Sequence, residues 1–268
     1  MNHSLNSKVI VIVGGTTGLG LSAARALVAE GARVVVVGRN TASAELAQAD
    51  LGRTAIAMTG DAVDSDTAPA AIARAIEAFG GFHGLYHVAG GSGRSYGDGP
   101  IHELTDEGIQ RTLDLNLASL IKSNRAAARA FMQRGTPGAV LNMGSVLGMF
   151  PAPRFFATHV YAAAKSAITG LTRSCAAYYA PFGIRFNVVE PALVETPMSR
   201  RASEDDAIMQ YVAARQPLDG GRPGAACNVN GAAVFLLSDA ACSITGQVLA
   251  VDGGWSVCDG GPASGESA

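Results

Sequence analysis

The sequence is short of charge, of cysteine and of long apolar runs, and each shortage closes off a class of function. Charged residues are 16% of the 268, and 20 Lys and Arg against 22 Asp and Glu leave a net charge of −2. Such a chain has no global positive field with which to hold a polyanion by counterion release, so nucleic acid is not an expected partner. Apolar runs such as 9–13 and 34–37 have the length of strands, and none nears the ~18 residues of a membrane span. The polar opening at 2–7 does not read as a secretion signal. The four cysteines, at 175, 227, 242 and 258, have no CxxC or Cys/His spacing. A disulfide framework and a metal centre are therefore both unexpected, and a reducing, cytoplasmic setting is expected. His83 and His87 are four apart, but in a strand pattern that gives no shared helical face for a zinc pair.

What is present is a hydrophobic content of 48% and 33 glycines. Short apolar runs alternate with longer helical patterns, and the first run is apolar throughout, as parallel strands covered on both faces are. The pattern predicts strands at 9–13, 33–38, 54–59, 84–89, 138–144, 184–190 and 246–251. It predicts helices at 19–30, 42–50, 67–79, 103–133, 159–180 and 224–237, with a lid-like region at 192–217 and a frayed tail at 259–268. Loop 90–100 is too glycine-rich for regular structure, and loops of this kind at strand ends often line sites. Repeated βα units with right-handed crossovers make a Rossmann-type, doubly wound parallel α/β sheet of about seven strands with helices on both faces. No linker or repeat divides the chain, so 1–268 reads as one domain.

The first strand runs straight into Gly14-Gly15-Thr16-Thr17-Gly18-Leu19-Gly20 and then a helix. Glycines there let backbone approach a pyrophosphate, whose charge the free N–H groups of the helix N-terminus stabilise. The second strand ends in Gly38-Arg39-Asn40, without the acidic residue that accepts from the adenosine ribose hydroxyls and repels a 2′-phosphate. Arg39 offers a guanidinium fork that matches phosphate, which favours NADP and leaves NAD open, since a loop arginine also turns easily to solvent.

Tyr161 and Lys165 lie four apart on an Ala-rich helix and share its face. With six Tyr and three Lys in the chain, chance supplies 6 × 3/268, roughly 0.07, such pairs. A tyrosine that exchanges protons near neutrality must move about 3 pH units from its usual ~10. One positive charge at ~4 Å supplies roughly that much. Ser145 closes the strand at 138–144 at its carboxyl edge, where open α/β sheets bind ligands. Its hydroxyl can donate to a carbonyl oxygen that gains charge, or simply cap a turn.

With these motifs the chain resembles the short-chain dehydrogenase/reductase family over roughly residues 7–255. The matching residues are Gly14-x-x-x-Gly18-x-Gly20, Asp61, Ala89-Gly90, Asn116, Ser145, Tyr161-x-x-x-Lys165, Pro191 with Thr196, and Val251-Asp252-Gly253-Gly254. The resemblance implies Tyr161 as general acid/base, Lys165 lowering its pKa and holding the nicotinamide ribose, and Ser145 orienting the substrate oxygen. It implies Asn116 as the residue that props its helix open within a proton relay. It also implies Asp61 and Ala62 at the adenine, Ala89 and Gly90 on the adenosine side, and Pro191, Thr196 and backbone near Val194 at the nicotinamide. A homotetramer or homodimer built through helices 103–133 and 159–180 is implied as well.

Several positions depart from the pattern. Val13 stands in place of a frequent Thr, His87-Val88 in place of Asn-Asn, Ala192 in place of Gly, and Thr17 in place of a basic residue common in NADP-dependent members. Ser145 and Tyr161 are sixteen positions apart, more than is usual, with Phe150, Phe155, Phe156 and His159 in the added stretch. These aromatics either shape the substrate pocket or pack the protein's own surface. Members that act on carrier-bound acyl chains tend to carry basic docking residues after the catalytic helix, and Tyr178-Tyr179-Ala180-Pro181-Phe182 is apolar instead. The expected enzyme interconverts a ketone or aldehyde with its alcohol, NADP(H) being preferred. The alternatives are an NAD-dependent alcohol, polyol, sugar or hydroxysteroid dehydrogenase, and a dinucleotide sensor or scaffold without turnover.

Overall fold

The computed structural model describes residues 4–260, so most of the 259–268 tail lies outside the described residues. Strand β1 (Val9–Val13) is buried at every position, which its alternation explains. Ile10 and Ile12 face one side with Val34, Val36, Leu27 and Leu236, while Val9, Val11 and Val13 face the other with Val35, Val37, Ile72 and Phe131. A strand with two dry faces has no position at which a polar residue is solvated, hence the uninterrupted apolar run. Each such side chain contributes about 1.5–3 kcal/mol through burial.

Seven parallel strands form the sheet in the order β3-β2-β1-β4-β5-β6-β7. They are β1, β2 (Arg33–Gly38), β3 (Ala55–Thr59), β4 (Gly84–His87), β5 (Gly138–Met143), β6 (Ile184–Pro191) and β7 (Val248–Val251). Helices α1 (Gly18–Ala29) and α2 (Thr41–Leu51) pack on the Ile10 side, and α3 (Thr67–Phe79) on the Val11 side. The order reverses beside β1, whose neighbours are β2 and β4. A crevice therefore opens at the carboxyl ends of β1 and β4, the place where such sheets hold ligands.

The long helix expected at 103–133 is interrupted. Thr105 caps α4 (Asp106–Leu113), a five-residue π-helical turn follows (Asp114–Ala118), and α5 (Ser119–Arg134) completes the run. The cause is Asn116, fully buried, whose Nδ2 donates to the Thr112 carbonyl at 2.9 Å in competition with the helical ladder. The periodic pattern runs through this turn unbroken, so sequence alone does not show it.

Helix α6 (His159–Tyr179) lies on the Val11 side, and the segment after β6 carries α7 (Arg200–Ser203) and α8 (Asp206–Arg215). Helix α9 (Asn230–Leu237) is shorter than the expected 224–237, because a 3-10 turn, Ala226–Val229, precedes it. Strand β4 stops at His87 and β7 begins at Val248, each two residues inside its expected span. Cys175, Cys227, Cys242 and Cys258 are free thiols. Among the described residues no helix is long and apolar enough to cross a membrane.

Candidate active site

The turn from β1 into α1 fills the crevice. Gly14 and Gly15 both donate to the Val37 carbonyl at 2.9 Å, which folds the turn back over the end of β2. Gly14 and Gly18 have φ of +86° and +52°, and a Cβ on Gly14 would come within 2.5 Å of the Ala89 nitrogen. Backbone from β1 and β4 thus meets with no room for side chains. Thr17, extended before α1, makes no side-chain cap, so the first-turn N–H groups keep their affinity for an anion. These orphan donors, together with a cradle that a Cβ would fill, fit the pyrophosphate of a dinucleotide.

From this turn a cavity of about 450 Å³ runs toward Trp255. Its walls carry Gly14, Thr16, Thr17, Gly18, Leu19, Arg39, Ala62, Ala89 and Gly90, together with Ser145, Tyr161, Lys165, Pro191, Val194 and Thr196. Thr196 faces the glycine turn across the cleft, its Cβ 3.7 Å from where a Gly18 side chain would begin.

Three expected site residues stand behind the wall. Gly20 lies under the turn, where a Cβ would fall on the Gly14 carbonyl. Asp61 folds its carboxylate back to accept from Val63 N at 3.0 Å, and Ala62 beside it takes the wall position. Asn116 acts through Gly91: its Oδ1 accepts from Gly91 N at 3.0 Å and its Nδ2 donates to Gly91 O at 2.9 Å.

Lys165 is 3% exposed, with Nζ 5.5 Å from the centroid of the Tyr161 ring and donating to the Met143 carbonyl at 2.8 Å. Burial lowers its pKa to about 8, against an opposing pull from Glu190. Burial holds the Tyr161 phenol above its ordinary value, while a hydrogen bond with Ser145 pulls the other way. The lowering expected from Lys165 is therefore not the state of the chain by itself. The ammonium sits against the ring and engages the Met143 carbonyl, and burial is the largest influence on the phenol. Ser145 Oγ accepts from Leu147 N at 3.3 Å, and the residue lines the cavity beside Tyr161. A hydroxyl and a phenol so joined can hold one oxygen atom and move a proton to or from it.

His87 turns out to be a neutral core residue. Fully buried, it faces Ser123 at 3.0 Å and Ser119 at 3.4 Å, and burial lowers its pKa to about 3, with Lys165 adding to the effect. Among the described residues no group of His, Cys, Asp and Glu could hold a metal ion.

The added aromatics do two jobs. Phe156 lines the cavity, and Phe150, Phe155 and Phe156 pack into a cluster with Trp255 and, from residues 192–217, Ile208 and Tyr211. Sequence reading passed over Asp98, which tethers loop 90–100 to the start of α6. It also passed over Arg94 and Arg201, which line the cavity. A lone aspartate in a glycine-rich loop was the only local signal of the tether.

A family model described as enoyl-(acyl carrier protein) reductase matches residues 13–256. The 2,5-dichloro-2,5-cyclohexadiene-1,4-diol dehydrogenase of Sphingobium indicum is 34% identical, over 94% of this chain and 98% of its own. The cis-4-hydroxycyclohexanecarboxylate dehydrogenase of Sinomonas cyclohexanicum is 33% identical over 95% and 99%. The structure of a short-chain type dehydrogenase/reductase from Mycobacterium ulcerans superposes with a TM-score of 0.85 at 30% identity, covering 95% of this chain and 92% of that one. With that fold, that glycine cradle and that Ser145, Tyr161 and Lys165 cluster, the chain belongs to the short-chain dehydrogenase/reductase family, whose NAD(P)-dependent enzymes act on CH–OH and C=O groups.

Proposed function

We propose that this oxidoreductase prefers NADP(H) and interconverts a ketone or aldehyde with a secondary or primary alcohol, Tyr161 being the general acid/base. The observation that carries this reading is the placing of Ser145, Tyr161 and Lys165 together on the wall of the cavity that begins at the glycine turn. The bound dinucleotide supplies or accepts the hydride. In reduction, Ser145 Oγ–H donates a hydrogen bond to the carbonyl oxygen and the Tyr161 phenol gives that oxygen its proton. The Lys165 ammonium stabilises the phenolate left behind. In oxidation the same phenolate takes the alcohol proton. Asn116 holds Gly91, and with it the backbone after β4, in place. Gly14, Thr16, Thr17, Gly18, Leu19 and Gly20 form the phosphate cradle, with Asp61, Ala62, Ala89 and Gly90 toward the adenosine. Pro191, Val194 and Thr196 lie toward the nicotinamide.

The preference for NADP rests on Arg39 at the cavity mouth and on the absence of an acid at the end of β2. An NAD-dependent alcohol, polyol, sugar or hydroxysteroid dehydrogenase is the reading it competes with. A sensor without turnover would need the cradle but not Asn116, Ser145, Tyr161 and Lys165 together. Relatives named for a cyclohexadiene diol and a hydroxycyclohexanecarboxylate favour a small alicyclic alcohol. The exposed Tyr178 at the end of α6 and Phe182 just after it offer no basic dock for an acyl carrier.

Exposed Ile121 and Met132 on α5, with Tyr178 on α6, support assembly through those helices into a homotetramer or homodimer. Light scattering of the purified protein tests this, a monomeric mass refuting it. We read the chain as one domain, with 192–217 as its substrate lid, working in the cytoplasm. The deciding experiment is the Kd of NADPH and of NADH by nucleotide fluorescence. NADPH binding at least tenfold tighter, a difference of ~1.4 kcal/mol, with the preference lost in Arg39→Ala, is expected. Equal binding would make Arg39 a surface residue.

A further inference from the structure

The cavity wall carries four cationic side chains, Arg39, Lys165, Arg94 and Arg201, and no Asp or Glu among the described residues. Arg39 and Lys165 are accounted for by the dinucleotide and the proton relay. Arg94 and Arg201 line the same cavity as Phe156 and Trp255, and both reach the backbone of Phe155, the neighbour of Phe156. Arg94 stands on the loop after β4 and Arg201 on α7, yet both guanidiniums donate to one atom. The Phe155 carbonyl accepts from Arg94 Nη2 at 2.9 Å and from Arg201 Nη2 at 3.4 Å. Two full positive charges thus share a neutral acceptor, and neither forms an ion pair among the described residues.

Other charged groups nearby do not balance them. The guanidinium of Arg154 stacks on the outer ring of Phe155, 4.9 Å from its centroid, and adds positive charge. The carboxylate that acts on Arg94 is Asp98, whose oxygens accept from Val160 N and Tyr161 N and whose pull on Arg94 is weaker than burial and the push of Arg201. Burial and the neighbouring Arg201 both press the Arg94 pKa down. An arrangement of this kind is repulsive when empty and relieved by an anion, and two guanidinium forks match the planar oxygens of a carboxylate.

Resting on the oxidoreductase reading above, we propose that Arg94 and Arg201 dock a carboxylate carried by the substrate, so that the enzyme acts on hydroxy or oxo acids. The acid group is gripped at the Trp255 end while the carbon bearing the oxygen lies at Ser145 and Tyr161. Loop 90–100 makes this grip and the catalytic helix one unit, since Asp98 fastens to α6 only four residues after Arg94.

Trp255, the only tryptophan, is on the cavity wall and reports occupancy by its fluorescence. The full chain, saturated with oxidised dinucleotide, is titrated with cyclohexanecarboxylate and with cyclohexanecarboxamide, which has the same shape without the charge. The carboxylate is expected to bind at least tenfold tighter, ~1.4 kcal/mol. Arg94→Gln and Arg201→Gln should each abolish most of that difference. Equal affinities, no binding of the carboxylate, or a loss that strikes both ligands alike would overturn the assignment. So would a loss of dinucleotide affinity in Arg201→Gln with carboxylate binding intact, since the arginine would then belong to the cofactor. Failure of the oxidoreductase reading looks different: no NADPH or NADH binds, whatever the carboxylate does.

Discussion

The carboxylate of Asp98 holds the backbone of Tyr161. Oδ2 accepts from Tyr161 N at 2.9 Å and Oδ1 from Val160 N at 3.0 Å, from a loop more than sixty residues earlier in the chain. Thr158, in the position that normally caps a helix, makes no side-chain bond of its own to the first turn. A negative charge at a helix N-terminus also suits the helix dipole. Asp98→Ala should therefore cost about 1–2 kcal/mol, a fall of roughly 2–8 °C in Tm. As a positioning residue it should also lower kcat at temperatures where the variant is fully folded, with partial rescue by Asp98→Asn, which keeps one acceptor. A full kcat in Asp98→Ala would show that the tether only stabilises.

The proposed proton transfer through Tyr161 makes two measurable demands. Tyr161→Phe removes only the hydroxyl, so dinucleotide binding should survive while kcat falls by about 10²–10⁴. The pH dependence follows from Lys165, whose buried ammonium loses its proton near pH 8. Reduction needs the phenol protonated and the ammonium charged. Its kcat/KM for the dinucleotide, which reports the unliganded protein, should be level near neutrality and decline as pH passes about 8. A profile level through roughly pH 6 to 10 would remove Lys165 from the proton relay.

Lys165 is also a source of instability. Its folded value, about 8, lies below the ordinary 10.5 because burial penalises the charge. Between those two pH values the unfolded chain binds more protons than the folded one, so this group makes stability rise with pH across that window. Below about pH 8 the cost of the buried charge is present in full. Lys165→Met, which fills the same space without a charge, should abolish turnover and yet raise Tm near neutrality. The gain should shrink as pH climbs toward 10.5. A Tm difference of the same size at every pH would mean that packing, not charge, sets it.

The sheet was legible because burial on both faces forces strands such as β1 into uninterrupted apolar runs, and the first turn because only glycines suit its close approaches. Tyr161 and Lys165 stood out through helical spacing, and Ser145 through its place at a strand end. What escaped notice depends on distance along the chain. Arg94 meets Phe155 and Asp98 meets Tyr161 across some sixty residues, and no local pattern announces either. The π-helical turn at Asn116 was hidden for another reason: the apolar period continues through it, and only the side chain's bonds to Thr112 and Gly91 distort the ladder. Asp61 illustrates the converse, a residue in the expected place whose carboxylate is spent on its own loop.

Packing at the end of β2 leaves one position for the proposed discrimination between dinucleotides. A Cβ at Gly38 would fall on the Thr16 side chain, so no acidic selector can stand there. Asn40 is committed to α2, its Oδ1 accepting from Ser43 N at 2.9 Å. Arg39 is exposed and on the cavity wall, as the proposed reading of the 2′ position requires. Arg39→Asp should therefore do more than Arg39→Ala, exchanging attraction for repulsion of a 2′-phosphate and adding an acceptor for a ribose hydroxyl. NADPH affinity should drop at least tenfold and NADH affinity rise, with Tm unchanged because the side chain makes no packing contact that the fold needs. Because the proposed cradle takes the pyrophosphate common to both ligands, a drop common to both would implicate the glycine turn, and only opposite movements would assign the selection to Arg39.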